Sequence, residues 1–170
     1  MHAAGYADVI AIRAKASEDR AWVEETLARL WGGRTVAVHG DAFEAAALPA
    51  FIAGEREGLL TYRLDPPIAE IVTLNALQPR HGIGTALVEA LAADLAGRGI
   101  REICVTTTND NLDALRFYQR RGFRLAALRP GAVAAARRLK PGIPAKGNFG
   151  IPRSDELELV RDVAPGSAPP

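Results

Sequence analysis

The sequence predicts an α/β fold, a mixed sheet flanked by helices, and three observations carry that reading. Strand-like and helix-like stretches alternate at the middle of the chain in the order strand, glycine turn, helix, strand, helix. The two central helical stretches place apolar residues at helical spacing, and the strand between them, REICVTTTN, is rich in β-branched residues. The 170 residues are 48% hydrophobic and 24% charged, which suits one domain able to bury a core.

Each element has its own signal. VIAIRA at 9–14 alternates as a strand, and Ser17 with Glu18 and Asp19 behind it starts a helix that Gly32–Gly33 ends. Within that helix Trp22, Val23, Thr26, Leu27, Leu30 and Trp31 form one apolar stripe, read as a core face rather than a pocket. Strands follow at 35–40, 48–55 and 58–64, and Asp65, Pro66 and Pro67 break the chain before IAEIVTLNAL at 68–77. GTALVEALAADLAGRG is a helix, with Leu87, Val88, Leu91 and Leu95 on one side and glycines at its end. After REICVTTTN, the stretch DNLDALRFYQRRGF is a helix capped by Asp110 or Asn111 and stopped by Gly122. FRLAALR at 123–129 is a strand, GAVAAARRLK a short helix and DELELV the last strand. The expected organisation is a single domain over 1–163, with an insertion at 130–154 between the last two strands and a disordered tail at 164–170.

Composition excludes several classes. Lys+Arg 21 against Asp+Glu 20 gives a net charge of +1, so no overall field draws the chain to nucleic acid or to an anionic membrane. A single cysteine, Cys104, allows neither an intramolecular disulfide nor a cysteine-built metal cage, and its mid-strand place reads as a buried, inert thiol. His2, His39 and His81 are too scattered to suggest a metal motif. The opening MHAAGYADVIAIRAK lacks a basic leader followed by an apolar core, and no apolar run approaches membrane-spanning length, so the expected location is the cytoplasm.

QPRHGIGTAL at 78–87 carries the first chemical signal. A helix start offers unpaired N–H groups and about half a positive charge, and glycines let a phosphate approach the backbone, so strand, Gly-x-Gly, helix is an anion cradle. The same glycines also open helices for steric reasons alone. A dinucleotide fingerprint fails because Leu87 stands where a third glycine is needed, and no Gly-Lys-Ser/Thr step exists for a nucleotide P-loop.

NLDALRFYQRRGF at 111–123, with GIGTAL upstream and AEIVTLNAL before it, resembles the GNAT superfamily of N-acetyltransferases at three points in the correct order. Asn111, Ala114, Phe117, Tyr118, Gly122 and Phe123 match the family run N-x-x-A-x-x-F-Y-x-x-x-G-F, and the long join between the last two strands is similar to that of a poorly characterised bacterial branch. The resemblance implies a mixed, mostly antiparallel central sheet with splayed central strands. It implies transfer of an acetyl group from acetyl-coenzyme A to a primary amine by direct attack in a ternary complex, without metal.

The resemblance also implies roles. The glycine turn would hold the pyrophosphate through the backbone of Arg80, Gly82, Gly84 and Thr85, with His81 turned to a phosphate or to solvent. The family's Gln/Arg position falls on Pro79, with Gln78 one residue early. Backbone N–H groups of Leu74 and Ala76 would receive the acetyl carbonyl and the pantetheine arm. Asn111 would bind pantetheine or simply cap its helix; Tyr118 would protonate the departing thiolate or sit as a core aromatic beside Phe117. Glu70 is the candidate base: alternation puts Ile68, Glu70, Val72 and Leu74 on one face, where partial desolvation would raise its pKa, the alternative being a solvated glutamate. Some histone-acetylating members carry their glutamate in a similar AEIV stretch. Arg116, Arg120 and Arg121 read as the wet side of a helix, the alternative being a reach to the charged nucleotide end of the cofactor.

The insertion, stiffened by Pro141, Pro144 and Pro152, is expected to shape the acceptor pocket, with Arg137, Arg138, Lys140 or Lys146 available to an acidic group, or else to wrap the fold or make a dimer contact. A small-molecule amine, a protein N-terminus or a lysine all remain open as acceptor, as does a homodimer. Two other classes fit the same residues: a non-catalytic coenzyme A-binding sensor or interaction module, and a different phosphate-ligand enzyme sharing the glycine turn.

Overall fold

A computed structural model of the chain describes residues 9–78 and 82–164. Its elements are β1 (Ile12–Ala14), α1 (Arg20–Trp31), β2 (Thr35–Val38), β3 (Asp41–Glu44), β4 (Ala50–Ala53), β5 (Gly58–Asp65) and β6 (Ile68–Ala76), then α2 (Ile83–Leu95), β7 (Glu102–Thr108), α3 (Leu112–Gln119), β8 (Arg124–Arg129), α4 (Ala132–Leu139) and β9 (Glu156–Asp162). Seven strands form one sheet in the order β1-β4-β5-β6-β7-β9-β8, and β2-β3 form a separate hairpin. Within the sheet β6 and β7 pair parallel and the other neighbours antiparallel, the mixed, mostly antiparallel sheet that the sequence predicts.

Each face of the sheet carries its own core. Leu87, Leu91 and Leu95 of α2 pack with Ile71, Ile103 and Leu159 on one side, and Val23 and Leu27 of α1 pack with Ile52, Leu59 and Val72 on the other. The apolar stripe of α1 divides accordingly. Val23, Thr26 and Leu27 are buried as predicted, whereas Leu30 and Trp31 are 46% and 37% exposed because they line an open cavity instead of the core. Trp31 Nε1 donates to Asn75 Oδ1 of β6 at 3.0 Å, and Gly32 stops the helix in the left-handed conformation at φ 67. Ser17 opens a 3-10 turn instead of capping α1. Asp19 takes that end of the chain, accepting from Ala16 N–H at 3.0 Å and from Arg13 Nη2 at 2.8 Å.

Two local departures from the predicted strands position the site. The stretch 35–40 is a strand and half of a turn: His39 at φ 55 and Gly40 at φ 76 make a two-residue hairpin turn whose handedness matches strand twist. The register of β5 on β6 slips so that Thr61 pairs with Thr73 but Tyr62 with Ile71, leaving Val72 as the extra residue of a bulge. The expected alternation fails there. Val72 stays with the α1-side core, but Leu74 packs with Ile71 against the α2-side core.

Parallel pairing of β6 with β7 covers only Ile68–Ile71 against Glu102–Val105; past the bulge the two strands part. Strand β7 meanwhile stays paired with β9 from Glu102 to Thr108. Among the described residues no helix is long and apolar enough to cross a membrane.

The start of α2 lies close on β5, so that a Cβ at Gly58 would stand 2.3 Å from Ile83 Cγ2 and 3.3 Å from Asn75 O. Gly58→Ala is therefore expected to lower stability by about 1–3 kcal/mol through overpacking. Gly142→Ala, where a Cβ meets nothing within 4 Å, should stay within about 0.5 kcal/mol. Urea unfolding of both variants measures the difference.

Candidate active site

Two features frame the cleft between β6 and β7. Leu77 N–H donates to Glu57 O at 2.8 Å, so by alternation the N–H groups of Asn75 and Thr73 face β5 while those of Leu74 and Ala76 face the gap that β7 has left. At the mouth of the gap α2 begins. Gly82, at φ 72, caps it; Ala86 N–H is bonded to Gly82 O at 2.9 Å, and the N–H groups of Ile83, Gly84 and Thr85 precede the first full turn and have no acceptor within the helix. Arg80 and His81, like Pro79, lie outside the described residues.

Gly84 serves packing as well as access, since a Cβ there would meet the Phe117 ring at 3.0 Å. Arg121 does not lie on a wet face as expected. Its guanidinium sits 3.6 Å from the centre of the Phe117 ring and donates to Thr85 Oγ1 at 2.8 and 2.5 Å, which brings a cation to the start of α2. Asn111 is the cap of α3, its Oδ1 accepting from Ala114 N–H at 3.2 Å. Tyr118 is buried between Phe117 and Phe123, with ring centres 5.1 and 5.2 Å away. Burial pushes its phenol upward, which keeps it protonated and makes it a weaker acid than a free tyrosine.

Glu70 is neither solvated nor raised in pKa. Only 4% exposed, it accepts from Arg63 Nε at 2.5 Å and from His39 Nε2 at 2.8 Å. Burial alone would raise the carboxyl, but those two bonds and the neighbouring positive charge outweigh it and hold Glu70 below the ordinary carboxylate range, contrary to the sequence expectation. Arg63 also lies 4.6 Å from the centre of the Phe43 ring, so Glu70 ties the β2-β3 hairpin to the sheet at both its tip and its second strand. Cys104, beside Glu70 in the register, is buried; desolvation and the Glu70 charge push its thiol up to about 12, which fits the inert reading.

Behind the cleft lies a cavity of about 530 Å³. Val72, Thr106 and Thr108 line it at the parting of the strands, Trp31 and Val36 on one side, Val133, Ile143 and Pro144 on the other. The insertion thus supplies a wall, and that wall is fastened. Asp110, fully buried, accepts from Asn148 N–H at 2.9 Å and from Arg153 Nε and Nη2 at 3.1 and 3.0 Å. Asn109 Oδ1 accepts from the N–H groups of Ser154 and Asp155, both at 3.0 Å. The basic residues expected to await an acidic ligand are placed otherwise. Arg137 donates to the carbonyls of Ile143, Pro144 and Arg153, Lys140 Nζ donates to those of Trp31 and Thr35, and Arg138 and Lys146 are exposed outside the cavity.

The residues that sequence reasoning missed are His39, Asp110, Arg121 and Glu156. His39 lies 3.1 Å by Nε2 from Thr106 Oγ1 and 4.0 Å by Nδ1 from Glu156 Oε2, so one ring stands between two carboxylates and a cavity-lining hydroxyl. The one sequence signal for it was the His-Gly step at the hairpin tip.

A mixed sheet parted at its parallel pair, with backbone donors on one wall and a glycine-capped helix at the mouth, defines the class as an acetyltransferase fold. Comparison with known proteins agrees. The model of the acetyltransferase (GNAT) family matches residues 44–123. The uncharacterised protein YdhI of Bacillus subtilis is 39% identical over 134 residues, 76% of this chain and 84% of that one. A GNAT family acetyltransferase from Elizabethkingia anophelis, solved with acetyl-CoA bound, superposes with a TM-score of 0.64 at 16% identity over 91% of this chain and 99% of the other. A Bacillus subtilis acetyltransferase in complex with CoA gives 0.63 at 19% identity, over the same shares. The chain belongs to the GNAT acetyltransferase family.

Asp110 supplies a pH test of the wall. Burial would raise its carboxyl, but hydrogen bonds from Arg153, Thr108 and Asn148 N–H hold it at about 2, below its ordinary 3.8. A depressed value stabilises the fold fully above the unfolded pKa, and that contribution is lost as pH falls from about 4 toward 2. The stability gap between wild type and Asp110→Asn should therefore be constant above pH 4 and close below it, as read from thermal unfolding at stepped pH.

Proposed function

We propose that the protein transfers the acetyl group of acetyl-CoA to a primary amine by direct attack in a ternary complex. The observation that carries the reading is the parting of β6 from β7 beyond Ile71 and Val105, which leaves the Leu74 and Ala76 N–H groups without a strand partner near the start of α2, while Val72 and Thr106 line a walled cavity at the same place. Acetyl-CoA enters from the α2 side, with its pyrophosphate on the N–H groups at Gly84 and Thr85 and Gly82 shaping the turn, its pantetheine along Leu74 and Ala76, and Asn111 alongside. The GNAT neighbours solved with acetyl-CoA or CoA support acetyl-CoA as the cosubstrate. When bound, acetyl-CoA supplies the activated thioester.

The amine arrives as an ammonium ion and must shed a proton before it attacks. His39 Nδ1 takes that proton, while the Nε2–H stays on Glu70, which orients the ring and stabilises positive charge on it, and the Thr106 hydroxyl lies 3.1 Å from the same Nε2. A Glu70 held low in pKa is better suited to this positioning role than to accepting the proton itself. The nitrogen lone pair then forms the C–N bond at the thioester carbon, with the developing oxyanion facing the Leu74 N–H. The C–S bond breaks with its electron pair on sulfur, and Tyr118 gives that thiolate a proton. The nitrogen sheds its second proton as the amide forms, so one proton ends on the coenzyme A thiol and one in solvent.

Isothermal titration with acetyl-CoA should show selective, saturable binding, with NAD and ATP as silent controls; no binding to folded protein would contradict the reading. Once an accepted amine is in hand, Tyr118→Phe and Glu70→Gln are each expected to lower kcat by about a hundredfold or more, in the range of general acid–base effects, with acetyl-CoA affinity unchanged. Wild-type turnover in Tyr118→Phe, with acetyl-CoA binding intact, would remove Tyr118 from the mechanism.

A further inference from the structure

Three charged side chains line the cavity, and two have their partners. Arg153 is paired with Asp110, and Lys140 Nζ rests on the carbonyls of Trp31 and Thr35. The third is Glu156, at the start of β9, which is 3% exposed and whose Oε2 has no hydrogen-bond partner. Neither basic side chain beside it makes a hydrogen bond to Oε2. Arg129, its register partner on β8, gives Nη2 to Glu158 at 2.8 Å, and its Nη1 is likewise buried without an acceptor. His39 Nδ1 stands 4.0 Å from Oε2, beyond hydrogen-bond length. A buried carboxylate lacking a donor is costly, and a ligand cation placed against it relieves that cost.

We propose that the acceptor is a compact primary amine with an apolar body, held through its ammonium group by Glu156. The proposal rests on the acetyl-transfer reading of the same site. Two acceptors 4.0 Å apart, Glu156 Oε2 and His39 Nδ1, are spaced so that one ammonium reaches both at ordinary lengths of about 2.8–3.0 Å. The His39 Nε2–H then remains on Glu70, and its Nδ1 lone pair faces the incoming proton. Beyond that charged end Trp31, Val36, Val72, Val133, Ile143 and Pro144 make the apolar part of the wall, alongside threonines and the already paired Lys140 and Arg153. About 530 Å³ falls in the range of small-molecule sites, and an acidic acceptor would bring its charge against Glu156.

Three probes of one shape separate the possibilities: phenethylamine as cation, 2-phenylethanol as neutral isostere and 3-phenylpropionate as anion, each titrated calorimetrically into the full chain with and without saturating CoA. The amine is expected to bind most tightly, and Glu156→Gln to weaken it about ten- to hundredfold, the worth of a charged hydrogen bond, while leaving the alcohol unchanged. Equal binding of amine and alcohol to wild type, or preference for the anion, would overturn the proposal without any variant. So would a Glu156→Gln protein that melts earlier yet binds the amine as before, which would make Glu156 a structural partner of Arg129. Absence of a CoA signal strikes the acetyl-transfer reading instead, and the probe series without CoA still decides the role of Glu156.

Discussion

The parting of β6 from β7 is the constraint on which the rest of the structure depends. Four register pairs hold the strands together, from Ile68 with Glu102 to Ile71 with Val105, and the bulge at Val72 turns β6 away immediately afterwards. Strand β7 does not follow, because β9 holds its other edge over its whole length. The result is a sheet with an opening at its centre instead of at its rim. Backbone donors that a continuous sheet would pair, at Leu74 and Ala76, are left facing that opening. Leu74 is half-buried and Ala76 exposed, so these donors stay open to an acceptor-rich ligand.

Two separate pieces of chain close the far side of the opening, and each is fastened by a buried carboxylate. Glu70 draws the β2-β3 hairpin down through His39 and, by way of Arg63, Phe43. Asp110 draws in the insertion through Arg153 and Asn148, so closely that a Cβ at Gly147 would overlap its Oδ2 at 1.8 Å. Ion pairs and charged hydrogen bonds fix geometry more than they add stability. Here they fix the walls of a cavity, and among the described residues that line it they leave Glu156 Oε2 without a hydrogen bond. The carboxylate that holds a wall and the carboxylate that meets a ligand are thus distinguished by their neighbours alone.

What was legible in the sequence is what local rules decide. The run from β6 through α3 shows clear periodicity, with glycines at the turns that need them, and the motif at 111–123 lies on α3 as expected. The bulge at Val72 was not legible, because nothing in IAEIVTLNAL marks where the register against β5 slips; the misplacement of Leu74 follows from it. His39 and Gly40 were read as the end of a strand because the turn is visible only once DAFE is recognised as its return strand. Glu70 was assigned a raised pKa since its opposing partners, Arg63 and His39, come from other elements. Asp110 competed with Asn111 for the helix cap, and its real role needs Arg153, which lies 43 residues further on. Leu30 and Trp31 continue the helical stripe of α1 in sequence, yet they face the cavity where β6 and β7 part instead of the core. Each miss is a case in which a long-range partner overrides a local pattern.

The most direct test of the central claim is amide hydrogen exchange, followed by NMR, in the presence and absence of acetyl-CoA. If the opening between β6 and β7 seats the cosubstrate, the amides of Leu74 and Ala76 exchange more slowly in the complex, together with those of Gly84 and Thr85 at the start of α2, while the paired amides of Thr73 and Asn75 change little. Protection that appears elsewhere on the fold, with Leu74 and Ala76 unchanged at saturation, would contradict the account.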